Sequence, residues 1–110
     1  MLAETPENLA KSAEHLQKAA ELDPANHRAM YNLGLAYQHL QRWEDAERAL
    51  REAQERAPSV DDYEYALAVF YSQRGQPAKA RDVVRRLLQR NPQHYDGQML
   101  LQQINRMEGE

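Results

Sequence analysis

The 110-residue sequence predicts an all-α protein, a solenoid of about six helices stacked as antiparallel hairpins. The first observation behind this is the stretch from Arg28 to Pro58. Met30, Leu33, Tyr37 and Leu40 recur there at steps of three and four, which places them on one helix face, and Trp43, Ala46, Leu50 and Ala53 do the same. Only Gln41 and Arg42 separate the two runs, so the helices fold back on each other. The second observation is Gly34, which costs about 1 kcal/mol relative to alanine in mid-helix and so marks a close approach of another backbone. Ala46 and Ala53 are small for the same reason. The third is a repeat. Pro24, Pro58 and Pro92 are spaced 58 − 24 = 34 and 92 − 58 = 34, and the same offset relates Leu33 to Leu67 and Leu101, Tyr37 to Tyr71, Ala46 to Ala80, and Tyr31 to Tyr65. A hairpin cannot bury both its faces alone, and stacked copies supply the missing cover.

The first helix is expected to start at Thr5-Pro6-Glu7. Threonine caps, proline suits the first helical position, and glutamate favours the positive end of the dipole. Leu9, Ala13, Leu16 and Ala20 mark its apolar face up to Leu22. Asp23-Pro24-Ala25-Asn26 breaks the chain, with Asn26 the cap of the hairpin already described. Ala57-Pro58-Ser59-Val60-Asp61-Asp62 is the next boundary, where Ser59 is expected to cap and two aspartates fill the first turn. The following helix carries Tyr63, Leu67, Phe70 and Tyr71 and stops at Arg74-Gly75-Gln76, Gly75 taking a left-handed conformation. Pro77 opens a helix lined by Ala80, Val84 and Leu87, which ends at Asn91-Pro92. From about Tyr95 a last helix holds Leu100, Leu101, Ile104 and Met107 and frays through Glu108-Gly109-Glu110. Its polar side (Gln98, Gln102, Asn105) suits a terminal cap.

A 34-residue period of helix–turn–helix units is the tetratricopeptide signature. The motif residues are Leu33-Gly34, Tyr37, Ala46, Leu50, Ala53 and Pro58 in one unit, then Leu67-Ala68, Tyr71, Gly75, Ala80 and Pro92 in the next. The chain therefore resembles the tetratricopeptide repeat family over nearly its whole length. The resemblance implies a right-handed α-solenoid and a single domain over 1–110. Within it, 5–22 is a half repeat or N-terminal cap helix, 27–60 and 61–94 are repeats, and 95–108 is a C-terminal cap helix. There are departures from the pattern. Met30 and Glu64 stand where the family usually has a large aromatic, Ala68 replaces the glycine seen at Gly34, Gln41 replaces the glycine seen at Gly75, and Pro77 stands opposite Trp43.

In that family the first helices of successive repeats line a concave groove that binds peptides or other proteins. The resemblance thus implies a non-catalytic protein–protein interaction module whose partner is another protein or a peptide. Arg28, Tyr31, Asn32, Leu35, Gln38, His39, Asp62, Tyr65, Val69 and Met99 are the expected groove residues. They form rows at the repeat period: Tyr31, Tyr65 and Met99; Leu35, Val69 and Gln103; Arg28, Asp62 and Asp96. Tyrosine anchors well because it offers area and a hydroxyl at low entropic cost. Some relatives grip a terminal carboxylate with several lysines and asparagines. Only Arg28 and Asn32 are candidates for that, and Asp62 and Asp96 repel such a tail. The alternative is a structural role. The open N-terminal half repeat would stack on a second copy as a homo-oligomer, or the chain would be the C-terminal module of a larger multidomain protein.

Composition excludes other classes. Hydrophobic content is 42% with a mean hydropathy of −0.92, as alanine-rich contacts under heavily solvated faces require. A net charge of −3 argues against a general nucleic-acid or anionic-membrane binder. With no cysteine there is no disulfide, thiolate chemistry or cysteine-held zinc. No apolar run approaches the roughly 18 residues of a membrane span, and Met1-Leu2-Ala3-Glu4 has no signal-peptide character. His15, His27, His39 and His94 are scattered, so no metal site is expected, nor any cofactor or catalytic constellation. Asp61-Asp62 and Glu44-Asp45 read as helix-start charges, and Arg81, Arg85, Arg86 and Arg90 as a solvated outer face.

Overall fold

The computed structural model describes residues 5–109. The N-terminal tail Met1–Glu4 and the final Glu110 lie outside the described residues. The helices are α1 (Pro6–Leu22), α2 (His27–His39), α3 (Trp43–Arg56), α4 (Asp61–Gln73), α5 (Pro77–Arg90) and α6 (Tyr95–Gly109), with no strand among the described residues. They form two compact units, one ending at Ala57 and the other beginning at Pro58.

In the first unit α1 and α3 pack on α2. Thr5 Oγ1 accepts the Asn8 N–H at 3.1 Å and Asn26 Oδ1 accepts the Ala29 N–H at 3.0 Å, so both expected caps form. The core of the hairpin is Ala29, Met30, Leu33 and Tyr37 from α2 against Ala46, Leu50 and Ala53 from α3, the last three fully buried. The close approach expected at Gly34 is real. A Cβ there would stand 2.8 Å from Leu50 Cγ and Cδ2 and 3.3 Å from the Leu50 nitrogen. On α1 the apolar face holds at Ala13 and Ala20, which are buried, whereas Leu9 and Leu16 are only half-buried. Leu22 is 87% exposed and so does not extend that face. Leu16 stands 34 residues before Leu50, and Leu50 before Val84; the two later positions are sealed, and no described helix covers Leu16 to that degree.

In the second unit α5 packs on both α4 and α6, and α6 touches α4. Tyr63, Leu67, Ala68, Phe70 and Tyr71 meet Ala80, Val83, Val84 and Leu87, and Leu100 and Ile104 complete the core. Three expectations need correction. Ser59 does not cap α4: Val60 holds that position in extended backbone with no side-chain bond, and Asp61 and Asp62 are already in the first turn. Met107 is 51% exposed, off the buried face, with its sulfur 3.9 Å from the Ser72 hydroxyl. The last helix also runs to Gly109, one residue beyond the expected bound.

Both intra-hairpin turns are built alike. After α2, Arg42 N–H donates to Tyr37 O at 2.8 Å and Gln41 N–H to Gln38 O at 3.1 Å; after α4, Gln76 N–H donates to Tyr71 O at 2.9 Å and Gly75 N–H to Ser72 O at 3.2 Å. This bond pair needs a left-handed residue just past the helix. Gly75 takes it at φ 72° and Gln41 at φ 61°. For glutamine that backbone costs about 1–2 kcal/mol, whereas glycine adopts it freely but gives up about 0.4–1 kcal/mol through the unfolded chain. Gln41→Gly is therefore expected to stabilise the protein by roughly 0.5–1 kcal/mol and Gly75→Gln to destabilise it similarly. A Cβ at Gly75 meets nothing within 4 Å, so the comparison isolates the backbone. Urea midpoints at constant slope measure both, and equal midpoints for all three proteins would refute it.

Candidate functional site

The predicted contact residues lie on the less covered stripes of the first helices. On α2 the buried residues are Ala29, Met30, Leu33, Gly34, Ala36 and Tyr37. Between them runs a second stripe in which Arg28, Asn32 and His39 are exposed and Tyr31, Leu35 and Gln38 half-buried. On α4 the same register leaves Asp62 exposed and Tyr65 and Val69 half-buried, while on α6 Met99 is 44% exposed. Leu35 and Val69 are thus neither sealed in a core nor free of it. The structure groups Arg28, Tyr31, Asn32, Leu35, Gln38 and His39 on one face of the first unit. Asp62, Tyr65, Val69 and Met99 belong to the second.

Around Tyr65 the second unit is well defined. His94 precedes α6, and its Nδ1 accepts the Gly97 N–H at 2.9 Å, which fixes the imidazole at the helix start. The Tyr65 ring sits against that imidazole, centroids 5.6 Å apart and tilted by 37°. Burial raises the Tyr65 hydroxyl above its ordinary range, and the Asp96 carboxylate adds to the rise. Tyr65, His94 and Asp96 are therefore neighbours, although no sequence motif joins them.

Sequence reasoning missed a polar cluster at the other side of α4. Glu64 is 2% exposed, at the position where α2 has Met30. Its Oε1 lies 2.9 Å from Arg90 Nη1 in an ion pair. Arg90 Nη2 also donates to Asp61 Oδ1 at 2.5 Å, and Asn91 Nδ2 to Asp61 Oδ2 at 3.0 Å. These bonds, Asn91's first and Arg90's second, hold the Asp61 carboxyl below its usual 3.8 despite some burial, and Asp61 in turn raises Arg90. The one available signal was the repeat itself. Arg56, which is 34 residues before Arg90, donates to the Pro24 carbonyl, so each arginine is turned back onto the start of its own hairpin. Arg81 is occupied as well, by Glu108 and by Asn105 Oδ1. Two arginines of the basic stretch are therefore neutralised within the unit, while Arg85 and Arg86 stay exposed on α5.

The first unit also contains a cleft of about 390 Å³ that was not anticipated. It opens between α1 and α3, with Met30, Leu33 and Tyr37 of α2 as its floor. Its rim is charged but internally matched. Arg48 lies 3.3 Å from Asp45 and Arg56 3.7 Å from Glu52. None of the predicted contact residues lines it. No group of three or more histidine, aspartate or glutamate side chains with metal-binding geometry occurs among the described residues. No described helix is long and apolar enough to cross a membrane.

A family model described as tetratricopeptide repeat matches residues 7–61, half of the chain, and a second of the same description matches 61–104. Among solved structures, MamA superposes with a TM-score of 0.84 at 22% identity, covering 93% of this chain and 60% of that one. YrrB, a tetratricopeptide protein with an unusual peptide-binding site, gives 0.76 at 21% identity over 94% of this chain and 53% of its own. The second such domain of human RPAP3, solved in complex with an HSP70 peptide, gives 0.78 at 19% identity over 90% and 82%. The chain spans less than two thirds of the first two, and at these identities the likeness speaks for the fold alone. With a matched repeat model over each of its two units and six helices at the repeat's spacing among the described residues, this chain belongs to the tetratricopeptide repeat family.

Proposed function

We propose that this chain is a non-catalytic interaction module that holds a segment of another polypeptide on the open stripes of its first helices. The observation that carries the reading is the position of Tyr31 and Tyr65. Both are half-buried at the same register, beside the half-buried Leu35 and Val69 and among exposed polar residues. A half-buried tyrosine held by its neighbours presents apolar area that is already partly ordered, so a partner gains contact at little further entropic cost. Support comes from the structural neighbours, among them a human domain solved with a bound HSP70 peptide. The contact set comprises Arg28, Tyr31, Asn32, Leu35, Gln38 and His39 on α2, Asp62, Tyr65 and Val69 on α4, and Met99 on α6.

The test is a random peptide library displayed on phage, selected against the wild-type chain and then titrated by calorimetry. The double variant Tyr31→Ala/Tyr65→Ala is expected to lose binding of the selected peptides by about thirtyfold or more per tyrosine, since interface anchor residues cost about 2 kcal/mol or more each. Its far-UV helicity should be retained. Undiminished binding in that variant would show that the partner docks elsewhere.

A further inference from the structure

Within the second unit the open stripes of α4 and α6 lie next to each other, since the two helices touch and the Tyr65 ring reaches the histidine at the start of α6. This face combines three things. Its apolar part is Tyr65, Val69 and the 44%-exposed Met99. Its charged part is Asp62 in the first turn of α4 and Asp96 in the first turn of α6, both exposed. Its remaining polar groups are His94, whose Nδ1 is engaged by Gly97, and Gln103.

The neighbouring charges decide what these two carboxylates do. Asp61 is held by Arg90 and Asn91, and Glu64 is buried against the same Arg90, so neither carboxylate is open to a partner. Among the described residues no cation pairs with Asp62 or Asp96. Arg81 is held by Glu108, and the Lys79 ammonium stands over the Tyr71 ring at 5.5 Å. Arg106 lies on α6 but ten residues beyond Asp96, about 15 Å along the axis. Each helix N-terminus offsets about half a charge, so the two exposed carboxylates keep roughly one net negative charge between them beside the apolar patch.

Resting on the reading above, we infer that the face shared by α4 and α6 takes a polypeptide segment carrying a lysine or arginine next to an aromatic or aliphatic side chain. The apolar side chain covers Met99 and the Tyr65 edge, and the cation lies between Asp62 and Asp96. A segment ending in acidic residues or a free carboxylate is repelled by the same two groups.

Two synthetic peptides with identical apolar residues test this, one with lysine and one with glutamate at the flanking positions of a sequence recovered from the displayed library. The wild-type chain should prefer the lysine peptide by about tenfold or more, with the preference shrinking severalfold between about 50 and 500 mM NaCl. Asp62→Lys/Asp96→Lys should remove or invert the preference, and Asp62→Asn/Asp96→Asn, which disturbs the helix starts less, should reduce it about threefold. Asp82→Lys/Glu55→Lys, with the same change in net charge elsewhere, should leave it unchanged. Library peptides that bind through the tyrosines without basic enrichment, or an unchanged lysine preference in both aspartate variants, would overturn this inference and leave the interaction module standing. A library yielding no binder would overturn both.

Discussion

Arg90→Ala is expected to destabilise the protein by about 3 kcal/mol, a shift of roughly 10–20 °C in Tm for a chain of this size. The cost comes from what is left behind. Glu64 is 2% exposed in the interior of α4, and Arg90 is the cation beside it. Removing one member of a buried pair typically costs about 3–5 kcal/mol; the lower end applies here because the Arg90 side chain is itself 35% exposed. The double variant Glu64→Met/Arg90→Ala should recover most of the loss, since it restores to α4 the residue type that α2 carries at Met30. Equal destabilisation of the single and double variants would show that Arg90 acts through packing of its stem and not through Glu64. The cluster also has a pH signature. Because Asp61 titrates below 3.8 when folded, its contribution is complete above the ordinary carboxylate range and is lost as pH falls through the folded value. Wild-type stability should therefore fall more steeply below about pH 4 than that of Arg90→Ala.

Gly34→Ala is expected to destabilise the first unit by about 1–2 kcal/mol although alanine is the better helix former. The helix gains about 1 kcal/mol, and the new Cβ meets Leu50 at 2.8 Å, where overpacking costs about 2–3 kcal/mol, the upper part of its usual range. Leu50 cannot move aside cheaply: it is fully buried, and one of the clashing atoms is Cγ, close to its own backbone. The second unit shows the other solution. At the equivalent positions it has Ala68 and Val84, both fully buried, so one methyl has passed from the second helix to the first. Leu50→Val alone should cost about 1 kcal/mol for a lost methylene and its cavity. Gly34→Ala/Leu50→Val should then be more stable than Gly34→Ala, with a coupling of about 1–2 kcal/mol read from a double-mutant cycle in urea. Simple additivity of the two single variants would refute the compensation.

The proposed contact face was legible in part. Register alone placed Arg28, Tyr31, Asn32, Leu35, Gln38 and His39 on one stripe of α2, because a helix's faces follow from its period. It did not reveal that Tyr65 meets His94, since that contact depends on how the start of α6 approaches α4. Ser59 failed as a cap for a local reason: α4 begins two residues later, at Asp61, so the serine lies outside the capping position. Leu22 and Met107 are exposed although they continue the apolar spacing, because periodicity near a helix end says nothing about whether a neighbour extends that far.

By itself, the sequence determined the six helices, their hairpin pairing and the tight contact at Gly34. These follow from apolar spacing, turn length and the absence of a side chain, all local along the chain. Only the tertiary structure decided the partners of the charges. Glu64 reads only as a departure at a position the family usually fills with a large aromatic until α5 brings Arg90 back across 26 residues of chain, and Gln41 reads as a tolerable substitute for glycine until its φ of 61° is seen. Apolar burial is roughly additive over a pattern and so can be read from it. A buried ion pair depends on the meeting of two particular atoms in a medium of low dielectric, and that meeting is settled by the packing of α5 on α4.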